Sequence, residues 1–306
     1  MDFRQLQYML TLAEYKNMTR ASEALYISQS ALSHYLKNVE QELGVTLFDR
    51  STNPLSLTYA GKCYMEGARR ILMENDRMLR ELRDITHHMT GKLVIGTSRD
   101  RASYMMPRIL PVFTARYPGI ETEVFTASGQ KLMEALRTGR VDMVLLPDTW
   151  KSLDSDLNSE PIYTEELVLA AKQGYLPEKT RLTDRTVSPR ALADIPFFLL
   201  FQEHAMRTWC DAWFRKHRLK IEPRMEFSSN ISCYRMAASG MGVTIIPYLT
   251  TRMTNPGGGT ELFSLGKDPE TWDVHILYRK NAYLGQPELD LIDISKNVFS
   301  NEMLSD

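Results

Sequence analysis

Apolar residues recur at helical spacing in the first part of the chain and leave a polar face between them. The positions predicted to point inward are Ala21, Leu25, Leu32, Leu36, Val39 and Leu43. Thr19 and Ser28 stand where a side-chain oxygen can accept a hydrogen bond from the first backbone amides of a helix. The pattern therefore predicts two helices joined by a tight turn.

The outer face of the second predicted helix is polar, and a short hairpin is predicted to follow it. After Leu47 the chain enters a polar loop, and Leu55 and Leu57 then alternate with a serine as in a strand. This hairpin would carry Arg50 and Asn53 at its tip. Side chains on such a helix and hairpin can contact base edges or phosphates of DNA. The alternative is that this polar face is only solvated. The residues predicted to contact DNA are Thr19, Arg20, Ser28, Gln29, Ser30, Ser33, His34, Lys37, Arg50 and Asn53.

A long helix is predicted from Thr58 to about Thr90, because no proline interrupts this stretch. Its mostly apolar seam alternates steps of three and four residues and comprises Tyr64, Ala68, Ile71, Asn75, Met78, Leu82, Ile85 and Met89. A sustained heptad seam is typical of a coiled coil. About 30 residues at 1.5 Å each give a rod of roughly 45 Å, too long for a small domain to cover. We expect the helix to pair with a second copy in a homodimer; the alternative is packing on its own chain, with Asn75 facing water.

Beyond Gly91 the pattern changes to short apolar runs that alternate with helical segments. Strands are predicted at residues 93–97, 121–126, 141–146, 166–171, 197–201, 225–228, 243–246 and 272–278. Helices are predicted at residues 101–117, 130–139, 205–217, 231–239 and 288–301. This alternation predicts parallel sheets with helices on their faces. Crossovers near Glu160–Tyr163 and Leu265–Pro269 would divide the region into two lobes around a cleft.

Polar residues follow several of these predicted strands where helices begin. In open α/β sheets, ligands lie beyond the carboxyl ends of the strands. Free backbone amides and the positive ends of helices there favour an anion. Thr97 and Ser128 are the strongest individual candidates, and the alternative is that such residues are ordinary helix caps and solvated arginines. The predicted ligand-binding residues are Thr97, Ser98, Arg99, Asp100, Arg101, Ser128, Gly129, Phe201, Gln202, His204, Arg207 and Asn230.

Composition and charge limit the classes of protein to which this chain can belong. The net charge is −1, which supplies no overall basic footprint for nucleic acid and counts mildly against DNA binding. Cys63, Cys210 and Cys233 match no zinc or disulfide spacing, so a reducing cytoplasm is expected and a redox-sensing role is the alternative. We expect no membrane span or export signal and no metal or cofactor. Without a nucleophile elbow, phosphate loop or dinucleotide fingerprint, an enzyme is not expected, and a solute-binding protein is the other alternative.

The N-terminal motifs together resemble those of the LysR-type transcriptional regulators. The matching stretches are Thr19-Arg20-Ala21-Ser22, Ala24-Leu25, Ser28-Gln29-Ser30-Ala31-Leu32-Ser33, Glu40, Glu42-Leu43-Gly44, Leu47-Phe48-Asp49-Arg50, Leu57-Thr58 and Ala60-Gly61. Two positions depart from the family pattern: Ser30 stands where proline is usual, and His34 where arginine is frequent. These departures bear on the start of the second helix and on the DNA contact at position 34.

The resemblance implies an α/β protein with an all-α, winged N-terminal module. Residues 1–58 would form a winged helix-turn-helix, 59–90 a dimerisation helix, and 91–306 a two-lobed, periplasmic-binding-protein-like effector domain. Lobe I would comprise 91–161 with 268–306, and lobe II 162–267. The implied function is regulation of a double-stranded DNA operator by a small anionic effector. The implied partners also include a second copy in a homodimer, a homotetramer of two dimers, and RNA polymerase.

Overall fold

The computed structural model describes residues 2–86, 90–149, 155–183, 185–254 and 259–302. The chain forms two compact units, Met1–His87 and His88–Asp306. Among the described helices, none combines the length and the apolar character that crossing a membrane requires.

The N-terminal unit is helical with one small hairpin. Its elements are α1 (Phe3–Tyr15), α2 (Met18–Ala24), α3 (Gln29–Leu43), the antiparallel strands β1 (Phe48–Asp49) and β2 (Ser56–Leu57), and α4 (Tyr59–Thr86). Met9 and Leu12 of α1 pack with Leu32 and Leu36 of α3 and with Phe48 in one buried core. The helix α1 was absent from the sequence prediction, yet it covers the apolar faces of the two helices that were predicted.

Most of the predicted inward positions are confirmed, and one of them is wrong. Ala21, Leu32, Leu36 and Val39 are buried and Leu25 is half-buried, but Leu43 is 45% exposed. Leu43 lies in the last turn of α3, directly before a left-handed Gly44 that ends the helix.

The helix cap predicted at Thr19 is instead supplied by Asn17. The helix α2 begins at Met18, and the Asn17 side chain accepts a hydrogen bond from the Arg20 amide at 3.0 Å. Ser28 does cap α3, because its hydroxyl accepts a hydrogen bond from the Ala31 amide at 3.1 Å.

The long helix α4 begins where predicted, and its described part runs to Thr86. Thr58 accepts a hydrogen bond from the Gly61 amide at 2.9 Å, as an N-cap residue does. A Cβ on Gly61 would lie 2.0 Å from the Leu47 carbonyl oxygen, so only glycine lets the helix approach the hairpin this closely. The predicted end near Thr90 follows residues 87–89, which lie outside the described residues. The predicted seam position Met89 lies outside the described residues, as does the side chain of Ile85.

The C-terminal unit alternates strands and helices. Its strands are β3 (Gly91–Thr97), β4 (Ile120–Thr126), β5 (Met143–Pro147), β6 (Leu157–Lys172), β7 (Arg181–Thr183), β8 (Thr186–Val187), β9 (Phe197–Leu200), β10 (Pro223–Phe227), β11 (Thr244–Pro247), β12 (Thr260–Ser264) and β13 (Thr271–Arg279). Its helices are α5 (Arg99–Arg116), α6 (Gly129–Arg137), α7 (Ala205–Lys216), α8 (Asn230–Ala238), α9 (Leu249–Met253) and α10 (Gln286–Glu302), with short 3₁₀ helices at Glu178–Thr180 and Pro189–Leu192.

The strand β6 connects the two lobes. In lobe I the order is β4-β3-β5-β13-β6, with β3, β4 and β5 parallel and β13 antiparallel to both of its neighbours. The sheets are therefore mixed rather than parallel as predicted. Residues 157–166 of β6 pair with β13, and residues 167–172 pair with β11 or β12 of lobe II. The strand thus changes lobes near Glu166. The residue limits given above for the domains and lobes remain predictions.

Each lobe has its own apolar core. In lobe I, α5 and α10 pack on the sheet around Ile95, Phe113 and Ile276. In lobe II, α7 and α8 pack on the sheet around Phe197, Trp213 and Val243. The helix α5 forms despite Pro107 and Pro111 within it, as predicted.

Candidate DNA-binding helix and ligand cleft

The helix α3 presents a polar row to solvent. Gln29, Ser30, His34 and Lys37 are exposed, and Ser33 is half-buried. The Ser28 and Ser30 hydroxyls lie 3.0 Å apart and form a hydrogen bond. Serine at position 30 therefore adds a hydrogen bond to the cap residue of the helix.

The hairpin is fastened to α3 through Glu40. One carboxylate oxygen of Glu40 accepts hydrogen bonds from the Leu47 and Phe48 amides at 2.8 and 3.3 Å. The other oxygen lies 3.0 Å from the Arg50 guanidinium. Part of the Arg50 side chain thus holds the hairpin in place, while 53% of that side chain stays exposed. Asn53 is exposed on the same hairpin.

Other exposed side chains lie on α2 and in the turn that follows it. Thr19 and Arg20 are exposed on α2. Tyr26, which the sequence analysis did not select, is 96% exposed in the turn before α3 and has a φ of 55°. Its left-handed conformation is unusual for tyrosine, so no turn motif in the sequence marks this position.

The C-terminal unit has a cleft of about 690 Å³ that is lined by residues at the starts of α5, α6, α7 and α8. The structure brings together most of the predicted ligand-binding residues in its lining: Ser98, Arg99, Asp100, Arg101, Ser128, Gly129, His204 and Asn230. Ser128 and His204 occupy N-cap positions but make no side-chain capping bond. The amide oxygen of Asn230 is buried and has no hydrogen-bond partner among the described residues. These groups leave polar contacts open to a ligand.

Four predicted ligand-binding residues are not among the cleft-lining residues. Thr97 is fully buried, and its hydroxyl donates to the Leu145 carbonyl at 3.1 Å. Arg207 is buried, donates to the Leu200 carbonyl at 2.8 Å, and pairs with Glu226. Phe201 and Gln202 are exposed outside the cleft. A strand end in the sequence fixes where the backbone lies but not which way each side chain points, and this is why these four residues lie outside the cleft lining although the sequence pattern selected them.

A buried charged cluster lies at Arg101. Its guanidinium donates to the Tyr163 hydroxyl at 2.8 Å and lies 3.7 Å from a Glu165 oxygen. The same oxygen accepts from the Trp272 indole at 2.8 Å. Burial raises the pKa of Glu165 despite the nearby arginine, and burial also raises the pKa of Tyr163. Burial opposes the charge on Arg101, but Tyr163 and Glu165 hold the pKa of Arg101 above its ordinary value.

The cleft also has an apolar lining that the sequence analysis missed. It includes Leu146, Leu200, Met206, Ile231 and Trp272. These residues belong to apolar strands and helix faces, so their sequence pattern is that of core residues. The cleft therefore combines apolar contact with positive helix ends and one exposed arginine, Arg99.

Comparison with known families identifies both units. Residues 3–62 match the model of bacterial regulatory helix-turn-helix proteins of the lysR family, and residues 86–300 match that of the LysR substrate binding domain. The chain belongs to the LysR family of transcriptional regulators. As a LysR-type regulator it binds DNA through its N-terminal unit and carries a ligand-binding C-terminal unit. The first match opposes a solute-binding protein without DNA function.

The similarity to relatives and to solved structures extends along nearly the whole chain. The HTH-type transcriptional regulator YcgK of Bacillus subtilis is 29% identical over 97% of this chain and 94% of its own length. The DNA-binding transcriptional dual regulator OxyR of Escherichia coli is 26% identical over 93% of this chain and 91% of its own. A full-length OxyR variant of Pseudomonas aeruginosa superimposes with a TM-score of 0.67 at 22% identity, covering 97% and 94% of the two chains. At that identity the likeness establishes the fold.

Proposed function

We propose that α3 enters the major groove of an operator, that two copies of the chain join through α4, and that a small anionic effector in the cleft modulates DNA binding or activation. The polar row on α3 carries the first part of the proposal. By analogy with the family, two dimers associate into a tetramer in the cytoplasm, with RNA polymerase as a further partner. We expect no catalytic activity.

The exposed seam of α4 supports dimerisation. Ile71, Met78 and Leu82 of the seam, and Leu79 next to it, are between 38% and 50% exposed in the single chain. A row of large apolar side chains in water favours a partner surface. A dimer would present two copies of α3 to a two-fold symmetric site, as helix-turn-helix proteins require.

The open contacts of the cleft support an anionic effector. Backbone amides at the starts of α5, α6 and α7 are suited to a carboxylate or phosphate. The unpartnered amide oxygen of Asn230 favours a ligand that also carries a hydroxyl or amino donor. The apolar lining fits a ligand with a hydrocarbon body.

Substitutions on α3 are expected to separate base contacts from phosphate contacts. Replacing Ser33 or His34 with alanine should change the preferred operator sequence and cost about 1–3 kcal/mol at the affected base pair. Replacing Lys37 should weaken binding to all sequences alike and lower the salt slope by about one. Lys62→Ala, an exposed lysine of α4, is the matched control. Sequence selection with randomised operators measures the first effect, and DNA titration at several salt concentrations measures the second. Unchanged selection in both the Ser33 and the His34 variant, with an unchanged salt slope in the Lys37 variant, would contradict our assignment of α3.

Removing the hydroxyl of Ser128 in the cleft is expected to lower effector affinity, whereas removing the hydroxyl of Thr97 is not. Ser128→Ala removes a free hydroxyl that can donate to an anion, and such a bond is worth about 1.5–3 kcal/mol. Thr97→Val removes a hydroxyl that is already bonded to Leu145, so it should lower stability and leave affinity intact. Thermal-shift titration with a panel of small metabolite anions finds the effector and tests both variants. Equal affinity of the wild type and Ser128→Ala would remove Ser128 from the site.

Redox sensing is the alternative, since a relative from Haemophilus influenzae, 24% identical, is a hydrogen peroxide-inducible genes activator. In this chain Cys210 and Cys233 are buried. Burial raises the pKa of Cys233 to about 12 and also raises the pKa of Cys210. Both thiols are therefore protonated near neutral pH and react poorly, because the thiolate is the nucleophile.

A thiol titration is expected to find one reactive cysteine. Cys63 is exposed and should react with a disulfide reagent in the native protein, whereas Cys210 and Cys233 should react only after unfolding. Raising the pH from 7 to 9 should not make the two buried thiols reactive, since the pKa of Cys233 lies well above this range. Peroxide-dependent DNA binding that persists in Cys63→Ser would instead favour a redox sensor.

A further inference from the structure

The carboxylate of Asp100 spans the cleft between the two lobes. Asp100 lies in the first turn of α5, in lobe I. Its carboxylate accepts hydrogen bonds from the Ser229 hydroxyl at 2.9 and 3.1 Å and from the Asn230 amide at 2.7 Å. Ser229 and Asn230 lie at the start of α8, in lobe II. Asp100 therefore joins residues of the two lobes through direct bonds.

These bonds satisfy the start of α8 in the way that an anion would. Ser229 is the N-cap of α8 and accepts from the Ile231 amide at 3.2 Å while it donates to Asp100. A carboxylate at a helix start gains from the helix dipole and from charge-assisted hydrogen bonds. The protein's own side chain thus holds this position.

The start of α6, in the same cleft, differs. Its N-cap Ser128 makes no side-chain capping bond, and its first turn contains no acidic residue. The start of α6 is therefore open in this cleft, whereas the start of α8 is occupied by Asp100. A ligand carboxylate that reaches α8 has to take the two donors from Asp100, because both groups are acceptors only.

We propose that Asp100 is a latch that holds the lobes together in the effector-free protein and is released when an anion competes for Ser229 and Asn230. This inference rests on the cleft being the effector site, and it adds how binding there changes the lobe arrangement. The effector binds the released state better than the latched state, and this difference moves the equilibrium.

Distances between the lobes measured by pulsed electron spin resonance test the latch. Spin labels are attached in the full-length chain carrying Cys63→Ser, Lys131→Cys on α6 and Lys220→Cys after α7. Labelled chains are diluted into excess unlabelled chain, so that distances within one chain dominate. Asp100→Ala and Ser229→Ala break the bridge from opposite sides. Asp293→Ala removes an exposed acidic side chain of α10 in lobe I and is the matched control.

We expect a narrow distance distribution in the parent and in Asp293→Ala. Asp100→Ala should give a longer and broader distribution, and Ser229→Ala a smaller change in the same direction, because the Asn230 amide donor remains. Acetate, balanced with chloride at constant ionic strength, should move the parent towards the Asp100→Ala distribution. It should not move Asp100→Ala further.

Each outcome tests either the bridge between the lobes or its release by an anion. If the distance distributions of Asp100→Ala and Ser229→Ala equal that of the parent, the latch is overturned. If the parent nevertheless responds to acetate, the proposed anion site is still supported. Opening in both variants without an acetate response would keep the bridge between the lobes and overturn its release by an anion. Thermal unfolding of each variant confirms that a folded chain is compared.

Discussion

Replacing Glu165 with alanine is expected to lower the free energy of unfolding of the C-terminal unit by about 3–5 kcal/mol, because it leaves a buried charge without its partner. Glu165 is 3% exposed and lies 3.7 Å from the Arg101 guanidinium. The substitution also removes the acceptor for the Trp272 indole and for the Leu249 amide. Both donors lie at the junction of the lobes, so the loss of stability is expected to affect both lobes.

A second glutamate on the same strand provides the control. Glu160 pairs with Lys296 at 3.0 Å, and the two side chains are 39% and 36% exposed. Glu160→Ala should cost about 0–1 kcal/mol, as exposed ion pairs do. All four tryptophans lie beyond residue 149, so tryptophan fluorescence in denaturant reports on the C-terminal unit alone. Equal losses in the two variants would contradict the role of the buried cluster.

Placing glutamate at Met78 and Leu82 is expected to abolish pairing through α4 and to lower operator affinity by at least a hundredfold. Both side chains are about half exposed on the seam of α4. Four charges brought together in a paired seam would be desolvated, and each monomer would keep contact with only half of the operator. Sedimentation velocity measures the mass, and DNA titration at fixed salt measures the affinity.

Met73→Glu is the matched control for the seam. Met73 is half-buried on α4 and lies about 140° around the helix from Met78, at 3.6 residues per turn. The same substitution at this position should leave the assembly intact. An assembly and an operator affinity that both stay unchanged after the double substitution on the seam would show that α4 packs on its own chain, which is the alternative stated for Asn75.

Sequence patterns determined most elements because local periodicity and tertiary packing agree there. The strand β6 is the instructive exception. Only its second half was predicted, since Ser159, Glu160 and Pro161 interrupt the apolar alternation in the first half. That half forms a strand because β13 supplies an antiparallel partner over residues 157–166, which is a tertiary effect.

The cleft shows the same limit at the level of side chains. Ser128 and Asn230 were predicted from strand ends and helix starts, and they line the cleft. Arg207 was predicted by the same rule, but it pairs with Glu226, which follows 19 residues later on another element. The contact of Asp100 with Ser229 joins residues 129 positions apart. No local pattern in one sequence identifies such partners.

Sequencing the genomic fragments that the purified protein retains at near-physiological salt tests the central claim most directly. If paired α3 helices recognise an operator, a small set of sites with two-fold symmetry will be enriched, and Ser33→Ala will change that set. Uniform, salt-sensitive retention of all fragments would contradict specific recognition by α3, because binding would then depend on phosphate contacts alone.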